Sequence, residues 1–310
     1  MEDRSSKRSP PSKLGTDATR KLRTLRVNLV ANIHRPDALT AAQDAEALLK
    51  TRGVEVGWEI ETARHTSRQA VPSERFGDCD LVIAFGGDGT LIRAAHLCSA
   101  NGTPILGVYY GSFGFVTQCT AKDLEPCLDA FLRGEVKLDS RIMLEAELLR
   151  GGHAVASLHA LNEIALQRAV TARMLSFEVT INGHRVTSYP ADGVIVSTPT
   201  GTTAYNLSAG GPILDPTVEA IVLTAVAPHT LSARPLVLGP ESEIRLRVER
   251  AGDAIVSSDA QTRLHLLSGD EVRVTRSPRV TNLVAVEKDD FLVKLGQRLF
   301  WHRGLIEDEG

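Results

Sequence analysis

Hydrophobic positions along the chain fall into two regimes. Residues 25–31 are a short apolar run of strand type, and 37–50 place Leu39, Ala42, Ala45, Leu48 and Leu49 at helical spacing, with Gly53 set to end that helix. Residues 54–60 read as a strand, 80–85 as a buried strand, 90–100 as a helix and 104–109 as another strand. A further helix is predicted at 122–133, with Leu124, Leu128, Phe131 and Leu132 on one side. Strands alternating with helices of this length predict βαβ units and a parallel sheet.

After about Val136 the helical period nearly vanishes. Residues 142–149, 160–167, 176–181, 193–197, 244–248, 271–274 and 280–286 are short and β-rich, separated by Gly, Asn, Asp and Pro. Asn182-Gly183 predicts a type I′ hairpin turn, because both central positions need positive φ. A run of βα units followed by a run of strands implies two domains: an α/β N-terminal domain with a parallel sheet and an all-β C-terminal domain. The boundary is expected near 134–139. That gives a phosphate-binding domain at 24–136, completed by 288–306, and a β-rich domain at 137–287.

Composition changes the picture mainly at the N-terminus. The formal net charge of the 310 residues is −3, but the first 26 carry eight Lys or Arg against three acids, a balance of +5. The remainder, with 27 basic and 35 acidic residues, stands at −8. Before Leu22 the arm has almost nothing apolar, so residues 1–23 are expected to be a disordered basic tail. An acidic body argues against nucleic acid as partner. The longest apolar stretch, 220–227, is too short for a membrane span, and no apolar leader precedes residue 25. Four cysteines without a CxxC pair fit reduced thiols and a cytoplasmic protein.

Three features carry candidate chemistry. Gly86-Gly87-Asp88-Gly89-Thr90 joins a predicted strand to a predicted helix. Backbone N–H groups and the helix dipole at such a junction favour phosphate. Asp88, an anion beside that phosphate, either holds Mg²⁺ or accepts a proton from an attacking hydroxyl. A tight βα turn with Asp or Thr as N-cap is the plain alternative. No P-loop or dinucleotide fingerprint occurs in the chain. The second feature, Thr198-Pro199-Thr200-Gly201-Thr202-Thr203-Ala204-Tyr205, is a hydroxyl-lined turn leading towards a short helix, with Asp192-Gly193 one strand earlier and Ser208-Ala209-Gly210-Gly211-Pro212 after it. Asn206 to Gly210 lacks the first glycine of a nucleophile elbow, which excludes a serine hydrolase. The third is Asn162-Glu163 in an apolar strand, where adjacent side chains point to opposite faces and one of the pair can enter the core or a cleft; a partnered Asn at a strand end is the plain alternative.

On these residues the chain resembles the NAD kinase family over about 25–304. The marks are Gly86–Thr90 with the helix start that follows, 104–115, Asn162-Glu163, Asp192-Gly193 through Tyr205, and Ser208–Pro212. Pro228-His229-Thr230-Leu231, Arg234-Pro235-Leu236-Val237 and Phe291 to Trp301 complete them. The resemblance implies phosphoryl transfer from ATP or polyphosphate to the adenosine ribose 2′-hydroxyl of NAD, giving NADP. It implies a divalent metal, Mg²⁺, as cofactor, though no metal ligand is assigned, and a homo-oligomer, dimer or tetramer. By the same resemblance Asp88 is the catalytic base and Gly86, Gly87, Gly89 and Thr90 line the donor phosphates. Gly89, Asn162, Glu163, Asp192, Thr203, Ala204, Tyr205 and Ser208 contact NAD. His229 and Arg234 read as structural or phosphate-side positions. With so acidic a body, Mg²⁺ and loop amides rather than a basic patch are expected to hold the polyanionic substrate. A lipid kinase sharing the Gly-Gly-Asp-Gly-Thr loop and a non-catalytic nucleotide sensor are the alternatives. Two positions depart from the family pattern: Tyr109 replaces an Asn, and Asp259-Ala260-Gln261 replaces Asp-Gly-Gln. Neither is expected to touch the residues assigned to chemistry.

Overall fold

The computed structural model of the chain describes residues 24–110, 114–116, 119–168, 175–230, 232–250, 254–285 and 291–299. The basic tail at 1–23 and most of the segment at 288–306 lie outside the described residues. The N-terminal half runs β1 (Arg26–Ala31), α1 (Pro36–Thr51), β2 (Glu55–Trp58), α2 (Ile60–Thr66), β3 (Leu81–Gly86), α3 (Asp88–Cys98), β4 (Ile105–Tyr109) and α4 (Leu124–Leu132). Its strands are parallel in the order β2-β1-β3-β4. Helices cover both faces, so β1 and β3 are apolar and buried on both sides. Leu29, Ile83 and Phe85 pack with Ala38, Ala42, Ala45 and Leu49 of α1, while Val30, Val82 and Ala84 pack with Leu91, Ala94 and Ala95 of α3.

The strand expected over 54–60 stops at Trp58, and α2 follows. Glu59 turns the chain: its carboxylate accepts hydrogen bonds from the N–H groups of Glu61 (3.0 Å) and Thr62 (2.9 Å), capping the new helix. Glutamate is not among the usual N-caps, so the pattern gave no warning of it.

The second half comprises β5 (Lys137–Arg150), β6 (His153–Ala160), β7 (Glu163–Arg168), β8 (Leu175–Ile181), β9 (His184–Ala191), β10 (Gly193–Ser197), α5 (Tyr205–Ser208), β11 (Ile221–Val226), β12 (Leu236–Leu238), β13 (Ile244–Arg250), β14 (Ala254–Ser258), β15 (Thr262–Leu266), β16 (Glu271–Ala285) and α6 (Phe291–Arg298). One sheet, β12-β11-β10-β7-β14-β15, is wholly antiparallel. The remaining strands continue the N-terminal sheet, because β16 meets β4 through the parallel pair Leu283 and Ile105. The two sheets close on one core, where Leu144, Phe177 and Leu246 face Ile164, Val196 and Val256.

The runs at 271–274 and 280–286 belong to one long strand, β16, whose register against β5 shifts between Arg276 and Val280. Pro278 lies in that gap and cannot donate to the ladder, which explains the apparent break. Asn182 (φ +50°) and Gly183 (φ +79°) form the hairpin turn as expected. Helix α6 returns to the N-terminal half, where the Phe291 ring lies 6.5 Å from that of Phe115 and the Arg298 guanidinium 5.7 Å from the Phe115 ring. Among the described residues no helix is long and apolar enough to cross a membrane.

Candidate active site

Helix α3 starts earlier than its apolar period suggests, so Asp88 stands in its first turn and not in a loop before it. An acid is favoured there by the helix dipole, and no side chain caps this helix. Gly86 is required by contact: a Cβ on it would lie 2.4 Å from Thr90 Oγ1. Gly87 and Gly89 face open space instead, so their bare backbone leaves room for a ligand. The Asp88 carboxylate accepts hydrogen bonds from the N–H groups of Phe115 (2.8 Å) and Val116 (3.1 Å). Gly114 makes that approach possible, since a Cβ there would sit 1.9 Å from Asp88 Oδ1.

Beside the loop opens a cleft of about 680 Å³, walled by Gly87, Gly89 and Thr90, by Asn32, His34, Arg64 and Arg93, and by Gln261 from the far half of the chain. Glu59 and Glu61 line the same wall, so its two arginines are balanced by two carboxylates. Arg93 is already engaged by Glu61 (2.5 Å) and by the Ala31 carbonyl (2.8 Å).

Asn162 and Glu163 are both buried, at 7% exposure each, although strand alternation allowed only one. Residues 161 and 162 lie outside β7, so the alternation rule does not apply to them. What holds them is Asp259, whose carboxylate accepts from the N–H groups of Leu161 (2.8 Å), Asn162 (2.8 Å) and Glu163 (2.9 Å). The expectation that the Asp259-Ala260-Gln261 turn stays clear of the assigned residues is thus wrong. That turn also runs at positive φ without glycine, with Asp259 at +48° and Ala260 at +55°. Asn162 Oδ1 and Glu163 Oε2 are buried without a hydrogen-bond partner. Burial, reinforced by the charge of Asp259 and opposed by the Tyr205 N–H, pushes the Glu163 carboxyl up to about 8.

The Thr-rich turn locks onto the same segment. Thr198 Oγ1 donates to the Leu161 carbonyl (2.6 Å), Thr198 N–H to the Asn162 carbonyl (2.8 Å), and Gly201 passes so close that a Cβ would meet Asn162 O at 2.1 Å. Most of the threonine hydroxyls are thus structural: Thr202 Oγ1 donates to Pro199 O and Thr203 Oγ1 to Thr200 O. Asn206, fully buried, accepts from Thr224 (2.7 Å) and donates to Pro212 O (3.0 Å), which ties α5 to β11. Thr203, Ala204 and Tyr205 are half-buried and Ser208 is exposed at the end of α5. The Tyr205 phenol is raised by burial, then by the charges of Asp192 and Glu163, so it stays a hydrogen-bond donor. Asp192 pairs with Arg168 at 3.0 Å. His229 N–H donates to Pro190 O, and Arg234 Nη1 to Ala233 O. Pattern reasoning missed Asp259, His96, Gly114 and Arg168; of these only the Asp259 turn had shown a signal, its departure from the family pattern.

Among the described residues no group of three or more His, Cys, Asp and Glu side chains could hold a metal ion. Mg²⁺ generally keeps several waters and is held by one or two carboxylates with substrate phosphates.

Residues 27–136 match the ATP-NAD kinase N-terminal domain model and 161–286 the ATP-NAD kinase C-terminal domain model. The NAD kinase of Citrifermentans bemidjiense is 38% identical over 283 residues, covering 89% of this chain and 98% of that protein. That of Symbiobacterium thermophilum is 39% identical over 275 residues, covering 87% and 97%. Among solved structures, yeast NADH kinase complexed with NADH is similar with a TM-score of 0.83 at 25% identity, covering 93% of this chain and 89% of that one. An NAD kinase from Archaeoglobus fulgidus in complex with ATP is similar with a TM-score of 0.70 at 27% identity, covering 88% and 98%.

Proposed function

The chain belongs to the NAD kinase family and is a phosphotransferase that makes NADP from NAD; from that premise we propose that Asp88 takes the proton of the adenosine ribose 2′-hydroxyl while the loop beside it holds the phosphoryl donor. The reading rests on two buried, unpartnered oxygens, Asn162 Oδ1 and Glu163 Oε2, on a segment tied to the helix that Asp88 opens. A buried polar atom without a partner costs about 1–3 kcal/mol, which polar groups of the nucleotide would recover.

A ribose hydroxyl is a weak nucleophile, and phosphoryl transfer gains most from alignment and charge neutralisation. Asp88 Oδ accepts the 2′-hydroxyl proton as the 2′-oxygen bonds to the terminal phosphorus of the donor. The bond from that phosphorus to the bridging oxygen breaks, and the shortened donor leaves with the electron pair. The Phe115 and Val116 amides orient the carboxylate for this step. Asn162, Glu163, Asp192 and Tyr205 orient the nucleoside, with Thr203, Ala204 and Ser208 beside them. Gly86, Gly87, Gly89 and Thr90 present backbone to the donor phosphates, and the cleft along His34, Arg64 and Arg93 receives the rest of the donor. A divalent metal serves the reaction; we assign it as Mg²⁺, which bound with the donor would neutralise charge on its phosphates.

The division of labour follows the chain: 24–136 serves the donor and 137–287 serves NAD. Four free cysteines suit a reducing compartment, and we place the reaction in the cytoplasm. Self-association as a dimer or tetramer fits the edge strands β9 and β12, which carry exposed Val186 and Val237. The relatives described above support NAD phosphorylation and lend no support to the lipid-kinase or sensor alternative. A coupled assay with NAD or NADH against Mg-ATP or Mg-polyphosphate tests the reading. NADP formation from NAD and a phosphoryl donor is expected; nucleotide binding without turnover would overturn it.

A further inference from the structure

Three consecutive backbone N–H groups, those of Leu161, Asn162 and Glu163, converge on one carboxylate of the Asp259 side chain, which is fully buried. Successive amides pointing at one anion form a nest, and here the anion belongs to the protein. Residues 161 and 162 have no ladder in β7, so Asp259 supplies the partners that a strand would have given them. Charge-assisted bonds of this length are the stronger kind. The Asp259 N–H returns a bond to the Glu163 carbonyl (3.1 Å), so segment and turn are held in both directions.

The fourth partner comes from elsewhere. Asp259 Oδ2 lies 2.8 Å from His96 Nε2, and His96 stands on α3, eight residues after Asp88. Two turns of helix, about 12 Å along its axis, therefore connect the proposed base to the carboxylate that fixes the nucleotide segment. Leu161 and the α3 residues Leu91, Ala94 and Ala95 share one buried cluster, so the link runs through packed structure.

We propose that Asp259 is a positioning residue for NAD phosphorylation: its single buried carboxylate fastens the Asn162-Glu163 segment to α3 and so sets the nucleotide in register with Asp88. This rests on Asn162 and Glu163 being nucleotide ligands. Asp259 touches neither substrate nor the reacting atoms; it acts through the two side chains whose free oxygens it aims. Position alone is not its whole effect, because a fixed negative charge beside a buried acid disfavours a second charge. The groups facing Glu163 are Asp259 from the β14–β15 turn and Tyr205 from α5, whose phenol is held protonated; His96 lies on the far oxygen of Asp259. Removing the charge at 259 should therefore lower the pH at which Glu163 ionises, an effect that a purely structural role would not produce.

Asp259→Asn tests this. The amide keeps one acceptor oxygen for two of the N–H groups but turns a donor towards Leu161 N–H, and it removes the charge. The expected result is a KM for NAD raised at least tenfold, a KM for Mg-ATP within twofold of native, and the limb of kcat/KM for NAD near pH 8 moved to lower pH, in protein whose melting is still cooperative. Folded Asp259→Asn with a native KM for NAD overturns the proposal. Should that variant not fold, His96→Ala cuts the link to α3 alone and should lower kcat at least threefold, with recovery in His96→Gln, whose amide can still donate to Asp259. A native kcat in His96→Ala is equally contrary. Asn162→Ala and Glu163→Gln serve as the control for the premise: native KM values for NAD in both mean that the ligand reading has failed, whatever Asp259 does.

Discussion

Replacing Glu163 by Gln should change how the stability of the substrate-free protein responds to pH. Glu163 is 7% exposed and one of its oxygens has no partner, so the folded state disfavours its ionised form. Burial first, and the Asp259 charge second, push the carboxyl from 4.5 to about 8. The sign follows from proton linkage. Between those two values the unfolded chain has released the proton while the folded chain keeps it, so raising the pH favours unfolding. The contribution is complete below about 4.5 and is lost as pH climbs through about 8. At about 1.4 kcal/mol per pH unit the whole window is worth at most about 5 kcal/mol. Glutamine is neutral throughout and carries no such dependence. Even about 2 kcal/mol would move a melting temperature by about 3 °C in a chain of this size. Thermal melts of both proteins at pH 5.5, 7, 8.5 and 9.5 should show the native protein losing ground to Glu163→Gln as pH rises. If the difference between their melting temperatures is the same at every pH, the buried-acid account is wrong.

Ala260 sits at φ +55° where an L-residue is strained by about 1–2 kcal/mol, so Ala260→Gly should gain about 0.5–1 kcal/mol after the added freedom of the unfolded chain is subtracted. Urea titration reads this as a higher midpoint at unchanged slope, and a lower midpoint would show that the turn is not strained. Gly114→Ala would put a methyl 1.9 Å from Asp88 Oδ1. Either carboxylate or loop must move, and kcat is expected to fall about 10²-fold with melting temperature nearly unchanged; full turnover would show that the close approach is dispensable.

Local signals account for the elements that were legible. Apolar runs and helical spacing located β1, α1, β3, α3 and β4, and the Gly-Gly-Asp-Gly-Thr loop stood out because glycine density between strand and helix has few other uses. The hairpin at Asn182-Gly183 was equally local. Long-range contacts were not legible. Asp259 meets residues 161–163 nearly a hundred positions away, and no periodic pattern encodes that an acid in a β-turn will cap three amides at the entry to another strand. The burial of both Asn162 and Glu163 followed from that contact and so escaped the alternation rule. The threonines of the 198–203 turn have hydroxyls of a type that suits ribose and phosphate, but Thr202 and Thr203 satisfy the turn's own carbonyls and Thr198 that of Leu161. Family resemblance supplied roles, but not the Asp259 link, because that depends on geometry rather than on which residue stands where.

Turnover by Asp88→Asn is the most direct test of the assignment on which the rest depends. With NAD and Mg-ATP, and with NAD affinity and thermal melting measured on the same protein, kcat is predicted to fall at least about 10²-fold while NAD affinity and melting stay close to native. Near-native turnover in that variant would contradict the account, because no other group in the described site is assigned to take the 2′-hydroxyl proton.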